Sequence, residues 1–181
     1  MQPPHTHTQV SEWPDASGFN HSASILGGLR TLTAPKLRTN VLNGWAAVEF
    51  NGGTNGLTID RDLKLTKPFS IFIVNRYTEN RGGRLLQGVT QNWLLGMYNY
   101  RNAFYSCGWV KFPSGRHYRQ PRGDWSLNAG IGDTSTTSHF IDGNLVGATS
   151  ALCDPMDLGF SNGGRYTQVS YAQAVEVLAY K

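Results

Sequence analysis

The chain has 181 residues, of which 39% are hydrophobic and 15% are charged, and its formal net charge is +4. This length suits one domain with a real core, and the longest strongly apolar run, residues 69–74, is far too short to span a bilayer. Charged residues are scarce against the usual ~25%, and glycine is abundant, which favours short strands joined by tight turns over surface helices. The modest positive charge permits a polyanionic partner without requiring one.

Residues 1–9 are predicted to form an N-terminal arm, because they hold two prolines, two histidines and almost nothing apolar. The remainder, residues 10–181, is predicted to be a single β domain. The arm lacks the basic and apolar regions of a secretory signal, so we expect synthesis in the cytoplasm. His5 and His7 could share a metal ion, but no carboxylate or cysteine lies near them in the sequence.

Extended segments separated by Gly/Asn turns follow the arm. In chain order they are predicted within residues 13–23, 44–59, 67–78, 84–89, 92–98, 103–110, 124–132, 138–147, 156–162 and 168–181. Residues 67–78 are apolar on both faces, which is typical of a central strand. Residues 171–179 alternate and are predicted to be a strand rather than a helix. Strands at roughly 8–12-residue spacing indicate an all-β sandwich or barrel.

Residues 139–147, HFIDGNLVG, contain Asp142-Gly143 between two apolar pairs. A tight hairpin turn requires positive φ angles, which Gly and Asp tolerate, so this dipeptide is a strong hairpin signal. Asp142 is therefore predicted to be a turn residue and not a working carboxylate.

The order of several short motifs resembles the laminin-G-like branch of the concanavalin A-like lectin/glucanase superfamily. The motifs are WPDASG (13–18), GWAAVEFNG (44–52), PFSIFIV (68–74), Leu95-Gly96, FIDG (140–143), Leu158-Gly159 and the closing VEVL (175–178). The resemblance runs from about residue 10 to residue 181. It implies an antiparallel, two-sheet jelly-roll sandwich with one concave sheet.

Catalysis is not expected. Glucanases of this superfamily carry an E-x-D-x-x-E strand, and two carboxyl groups about 5–5.5 Å apart are needed for retaining hydrolysis. The twelve acids here contain no such strand, and the close pairs Asp60/Asp62 and Asp154/Asp157 are placed at turns. A glycoside hydrolase is thus the least favoured function.

The most unusual stretch is residues 110–125, a predicted projecting loop in which arginines alternate with aromatic residues. The candidate contact residues of this loop and of the preceding hairpin are Lys111, Arg116, His117, Tyr118, Arg119, Arg122, Trp125, Tyr98 and Tyr100. Arg and Tyr are enriched at interface hot spots, although a solvated loop is the simpler alternative. Asp15 could bind Ca²⁺, the one cofactor considered, but an Asx turn is the expected role.

Six aromatic residues are concentrated just before this loop: Trp93, Tyr98, Tyr100, Phe104, Tyr105 and Trp109. Strand alternation predicts that about half lie in the core. The outward half could stack on sugar rings or pack against another protein. Cys107 and Cys153 match no metal spacing. They could form one disulfide, but for a chain made in a reducing compartment they are expected to be buried free thiols.

Two functions of different class stay open. In the first, the chain is a structural or attachment component of a larger assembly at a virion surface or as capsid decoration, with a homo-oligomer and other protein subunits as partners. In the second, it is a lectin-like module that binds surface glycans. The polar arm, the Arg/Tyr loop and unpaired cysteines favour the first. Nucleic acid is not favoured, because one basic loop on a chain of +4 is a weak footprint.

Overall fold

The structure is a computed structural model of the chain. It describes residues 8–25, 31–52, 54–59, 63, 65–78, 83–99, 101–110, 118–119, 123–150, 153, 158–161 and 171–180. Every regular element within these ranges is a β-strand, so the predicted all-β fold is confirmed.

The strands are short and are separated by turns at positions rich in Gly and Asn. In chain order they are β1 (Thr8–Gln9), β2 (Glu12–Trp13), β3 (Ala23–Ser24), β4 (Lys36–Leu42), β5 (Trp45–Asn51), β6 (Gly56–Ile59), β7 (Phe69–Tyr77), β8 (Leu86–Gly88), β9 (Trp93–Tyr98), β10 (Arg101–Ser106), β11 (Tyr118–Arg119), β12 (Ser126–Gly132), β13 (Thr136–Ile141), β14 (Asn144–Ser150), β15 (Leu158–Ser161) and β16 (Tyr171–Tyr180).

The strands form two antiparallel sheets that pack face to face as a jelly-roll sandwich. The first sheet has the order β1-β4-β5-β16-β7-β12-β13-β14, and the second has the order β11-β10-β9-β8-β15-β6-β3-β2. Strands from distant parts of the chain are interleaved, since β16 lies between β5 and β7 and β15 lies between β8 and β6. The predicted sandwich and the predicted strand at residues 171–179 are both confirmed.

The central strand of the first sheet is β7, as residues 67–78 predict. Phe69, Ile71 and Ile73 are at most 2% exposed and face the second sheet, whereas Phe72 and Val74 on the other face are half-buried. Period-two alternation in a strand places these two sets on opposite faces. The burial difference therefore distinguishes the core face of the sheet from its outer face.

A polar cluster lies inside this apolar core. The Asn128 amide group donates to the oxygens of Asn75, Asn102 and Ser126 at 3.1, 3.1 and 3.2 Å, and Asn128 Oδ1 is 3.0 Å from His139 Nε2. All five side chains are at most 4% exposed. Because they belong to β7, β10, β12 and β13, the cluster connects the two sheets and penalises any slip of one strand against its neighbour.

Part of the predicted arm pairs within the chain. Thr8 and Gln9 pair with Leu37 and Lys36 of β4, so these two residues need no partner subunit for order. Residues 1–7, including His5 and His7, lie outside the described ranges. Where the structure describes the chain, it contains no helix with the length and hydrophobicity required to cross a bilayer.

Candidate functional site

The outer face of the second sheet has a low floor where β9 and β10 pair. Gly96 lies opposite Ala103, and Tyr98 lies opposite Arg101 one row further along. Gly96 has a φ of +93°, and a β-carbon there would point inward, 3.4 Å from the Asn75 amide nitrogen. The outer surface at this row is therefore built from backbone and one methyl group, and Ala103 is only 2% exposed.

Aromatic side chains surround this floor. A depression of about 60 Å³ is lined by Tyr98, Asn99, Arg101, Ala103 and Trp109. The ring centroid of Trp109 is 5.6 Å from that of Tyr98 and 5.0 Å from that of Tyr105. We call Tyr98, Tyr105 and Trp109 the aromatic patch. All three rings are half-buried, so each keeps a solvent-facing part.

The sugar-stacking hypothesis made from alternation depends on which aromatic residues face outward. Trp93 and Phe104 pack edge to face in the core with ring centroids 5.4 Å apart. Tyr98, Tyr105 and Trp109 lie together on the outer face, and Tyr100 is outside the described residues. The predicted division of this set between core and surface is thus confirmed.

A disulfide fixes the turn that carries Trp109. Cys107 and Cys153 are bonded, with their Cα atoms 5.6 Å apart, so the expectation of two free thiols is wrong. The backbone around the bond is also tied, because the Cys153 amide donates to the Ser106 carbonyl at 3.2 Å and Ser106 Oγ donates to the Cys153 carbonyl. Trp109 then forms a β-bridge with Tyr105, which sets its ring over the outer face.

Two arginines border the aromatic patch, and they differ in burial and in hydrogen bonding. Arg84 is 7% exposed, donates to Asn92 Oδ1 at 2.9 Å, and holds its guanidinium carbon 5.4 Å from the Tyr98 ring centroid. Arg101 is exposed and makes no hydrogen bond or ion pair with the described residues. The first arginine supports Tyr98 by a cation–π contact, and the second presents its charge to solvent.

The predicted contact residues are divided by the structure. Tyr98 is in the aromatic patch. Tyr118 and Arg119 form β11, with backbone positions opposite Asn102 and Arg101. Trp125 lies instead on the outer face of the first sheet, where the Arg76 guanidinium carbon is 4.7 Å from its ring centroid. The candidate contact residues predicted from the sequence therefore lie on the outer faces of two different sheets.

The remaining candidates of that stretch, Lys111, Arg116, His117 and Arg122, lie outside the described residues. Their flanking positions are informative. The Val110 amide donates to the Phe104 carbonyl at 3.0 Å, and Tyr118 pairs with Asn102, so Val110 and Tyr118 both adjoin β10. Arg84 and Arg101 were not predicted, because the β9/β10 register places Arg101 opposite Tyr98 and a cation–π contact places Arg84 against its ring, and neither is visible in the sequence.

Asp15 has the predicted turn role. Its carboxylate oxygens accept hydrogen bonds from the His21 amide at 2.9 Å and from the Ser17 amide and hydroxyl at 2.8 Å. These bonds, with the His21 amide contributing most, lower the pKa of Asp15 to about 2. Both oxygens of the weak Ca²⁺ candidate are thus engaged by the loop itself. No cluster of three or more potential metal ligands is found among the described residues.

Comparisons with solved structures agree with the fold. Domain 4 of AbnA, a GH43 extracellular arabinanase from Geobacillus stearothermophilus solved in complex with arabinotriose, matches with a TM-score of 0.60 and 12% identity, over 80% of this chain and 75% of that one. The alginate lyase AlgAT5 of Polysaccharide Lyase family 7 matches with a TM-score of 0.53 and 7% identity, over 80% and 81%.

A Trypanosoma rangeli sialidase solved in complex with 2,3-difluorosialic acid matches 97% of this chain but only 29% of its own, with a TM-score of 0.57 and 12% identity. The chain thus corresponds to less than a third of the sialidase. No protein-family model and no curated protein matches the chain. At these identities the comparisons establish the β-sandwich fold, and laminin-G-like membership stays a prediction.

Proposed function

We propose that the chain is a non-catalytic carbohydrate-binding β-sandwich that holds a sugar against the aromatic patch. The observation that carries the proposal is the arrangement of Tyr98, Tyr105 and Trp109 around the Gly96/Ala103 floor on an outer sheet face. Binding sites combine apolar and aromatic walls with a few polar groups that fix orientation. Here the face of Tyr98 or of Trp109 would offer an apolar surface to the C–H face of a sugar, since these two ring planes are inclined at 32° and Tyr105 is edge-on to Trp109 at 75°. Asn99 offers an amide to the sugar hydroxyls.

The size of the depression fits an open site. Sites that enclose a whole small molecule have volumes of about 300–1,000 Å³, whereas this depression measures about 60 Å³. A ligand would therefore lie on the surface. One sugar ring would occupy the depression, and the rest of a longer oligosaccharide would continue along the sheet. Such a site suits one residue of an oligosaccharide better than a deeply buried cofactor.

The comparisons support a carbohydrate ligand without identifying one. One similar domain was solved with arabinotriose and one similar protein with a sialic acid derivative. Because a β-sandwich hosts many functions, the fold alone does not carry the proposal. The comparisons favour glycan binding over the hypothesis of a structural component of a larger assembly. Neither the comparisons nor the described residues support a virion or capsid role.

The absence of catalysis is part of the proposal. Glu49 is paired with Arg38, and Asp15, Asp133 and Asp142 accept backbone hydrogen bonds at turns. None of the described residues that line the depression is acidic. The usual pair of carboxyl groups for glycoside hydrolysis is therefore not present at the proposed site.

The test is to measure binding of a soluble oligosaccharide panel, including arabinotriose and sialyllactose, to the parent and to Trp109→Ala. Loss of a well-packed aromatic anchor costs about 2 kcal/mol or more, so affinity should fall at least roughly tenfold. Trp125→Ala removes the same side chain from the opposite outer face and should bind like the parent. Thermal unfolding of both variants checks that the sandwich is intact.

Two outcomes would count against the proposal. One is a folded parent protein that binds nothing on a broad glycan array. The other is a Trp109→Ala variant that binds as tightly as the parent while Trp125→Ala does not, which would move the site to the first sheet.

A further inference from the structure

Arg101 is a charged group whose position the fold determines but whose partner is not found among the described residues. It is the first residue of β10, it lies opposite Tyr98, and it lines the depression. It is exposed and makes no ion pair with any described carboxylate. An arginine held beside an aromatic surface with its donors free is arranged to receive a planar anion.

A second observation concerns the neighbouring strand. The backbone register places Arg119 of β11 directly opposite Arg101 of β10. The backbone thus brings a second arginine position next to that of Arg101 at the edge of the second sheet.

From these observations we propose that the aromatic patch selects sugars that carry a carboxylate, such as a uronate or a sialic acid, and that Arg101 receives the carboxylate. This inference rests on the proposed glycan-binding function. The sugar ring packs on Tyr98 and Trp109, and its carboxylate accepts two N–H bonds from the Arg101 guanidinium fork. Arg84 adds positive potential from below Tyr98 while staying bonded to Asn92.

The described charges favour a carboxylated sugar over a denser polyanion. Among the side chains that the structure describes at the patch, Arg84 is buried and the guanidinium group of Arg101 is exposed. Nucleic acids and heavily sulfated glycans gain affinity by having several charges neutralised at once, with a steep salt dependence. One exposed guanidinium fork beside the Tyr98 and Trp109 rings matches one carboxylate per sugar unit.

The first experiment compares ligands that differ only in charge. Calorimetry of the parent protein would use de-esterified against fully methyl-esterified oligogalacturonate, and sialyllactose against lactose. We expect at least one acidic member to bind about tenfold or more tightly than its neutral counterpart, because a hydrogen-bonded charged group is worth more than a neutral one. Raising the salt concentration should reduce this preference, since Arg101 is exposed.

Variants then assign the preference to Arg101. Arg101→Gln should bring binding of the acidic ligand to the level of its neutral counterpart, and Arg101→Lys should restore part of it because the charge returns without the fork. Arg76→Gln removes the same charge from the outer face of the first sheet and should keep the full preference. Because the exposed Arg101 side chain makes no hydrogen bond or ion pair with the described residues, the melting temperature of Arg101→Gln should stay close to that of the parent.

The outcomes separate this inference from the function on which it rests. If neutral and acidic members bind equally and Trp109→Ala weakens both, the glycan site stands and the acid preference is overturned. A preference that survives in Arg101→Gln also overturns it, as does tighter binding of heparin or of a single-stranded oligonucleotide than of any carboxylated sugar. If no glycan binds at all, the proposed function itself fails.

Discussion

At the scale of single residues, Asp142 has two structural roles in the turn between β13 and β14. Its φ is +50° and that of Gly143 is +80°, which are the angles a tight hairpin turn requires. Asp142 Oδ1 accepts a hydrogen bond from the Leu127 amide at 2.8 Å, and the Asp142 amide donates to the Leu127 carbonyl at 2.9 Å. The residue therefore shapes its own hairpin and ties that hairpin to the start of β12.

These contacts predict opposite effects for two neighbouring substitutions. Asp142→Asn should change stability little, because an asparagine tolerates positive φ and its amide oxygen can accept the Leu127 bond. Gly143→Val should lower the free energy of unfolding by roughly 1–3 kcal/mol, because a β-branched residue is strained at positive φ. No atom would contact the new β-carbon, so the cost is conformational. Denaturant unfolding checks both, and an unchanged midpoint for Gly143→Val would contradict the prediction.

The sequence predicts the role of a residue when that role depends on neighbouring residues in the chain. It does not predict contacts with residues that are distant in the sequence. The turn at Asp142 follows from the Asp142-Gly143 dipeptide alone. The buried cluster around Asn128 also had a local signal, since Asn75 follows the parity of Phe69, Ile71 and Ile73 and so falls on the core face of β7. Its partners Asn102 and His139 could not be predicted, because they come from other strands whose pairing is not local.

At the scale of elements, the edge of the second sheet is the part that the proposed function depends on most. Trp109 reaches the outer face because the chain reverses after β10 and pairs with Tyr105. Cys107 at this reversal has a φ of +61° and is bonded to Cys153, which is 46 residues further along. The sequence shows two cysteines but not that a β10 turn meets residue 153, so the pairing was predicted wrongly.

Removing this disulfide should affect both stability and binding. A bond that closes a loop of this length is worth about 2–4 kcal/mol, mainly through the unfolded state. The double variant Cys107→Ser/Cys153→Ser should therefore unfold at lower temperature and bind glycan more weakly than the parent, as Trp109 loses its tether. Reductant should lower the melting temperature of the parent but not of the variant. A parent that is insensitive to reductant would contradict the bond.

At the scale of the whole molecule, the sandwich gives two outer faces with different chemistry. The second sheet carries the aromatic patch and Arg101, whereas the first carries Trp125 stacked with Arg76 and half-buried apolar residues such as Phe72. Composition and strand spacing predicted an all-β sandwich or barrel, and the laminin-G-like resemblance implied two packed sheets. They could not say which strands share a sheet, and so could not separate Tyr98 from Trp125.

The last prediction concerns catalysis and follows from where the acids lie in the molecule. Asp15, Asp133 and Asp142 are bonded to turn backbone, Glu49 is paired with Arg38, and none of these acids lines the depression. Most glycoside hydrolases, whether inverting or retaining, use two carboxyl groups flanking the scissile bond. The parent protein should therefore release no reducing ends from arabinan by hydrolysis.

A trace activity would need a control, and Trp109→Ala supplies it. Activity from a contaminant would be equal in the parent and in this variant, whereas turnover at the aromatic patch would fall with binding. Release of reducing ends that is lost in Trp109→Ala and also in a single Asp or Glu variant would show that the patch is catalytic. Equal trace activity in the parent and in every variant would indicate a contaminant and would agree with a site that binds glycans without cleaving them.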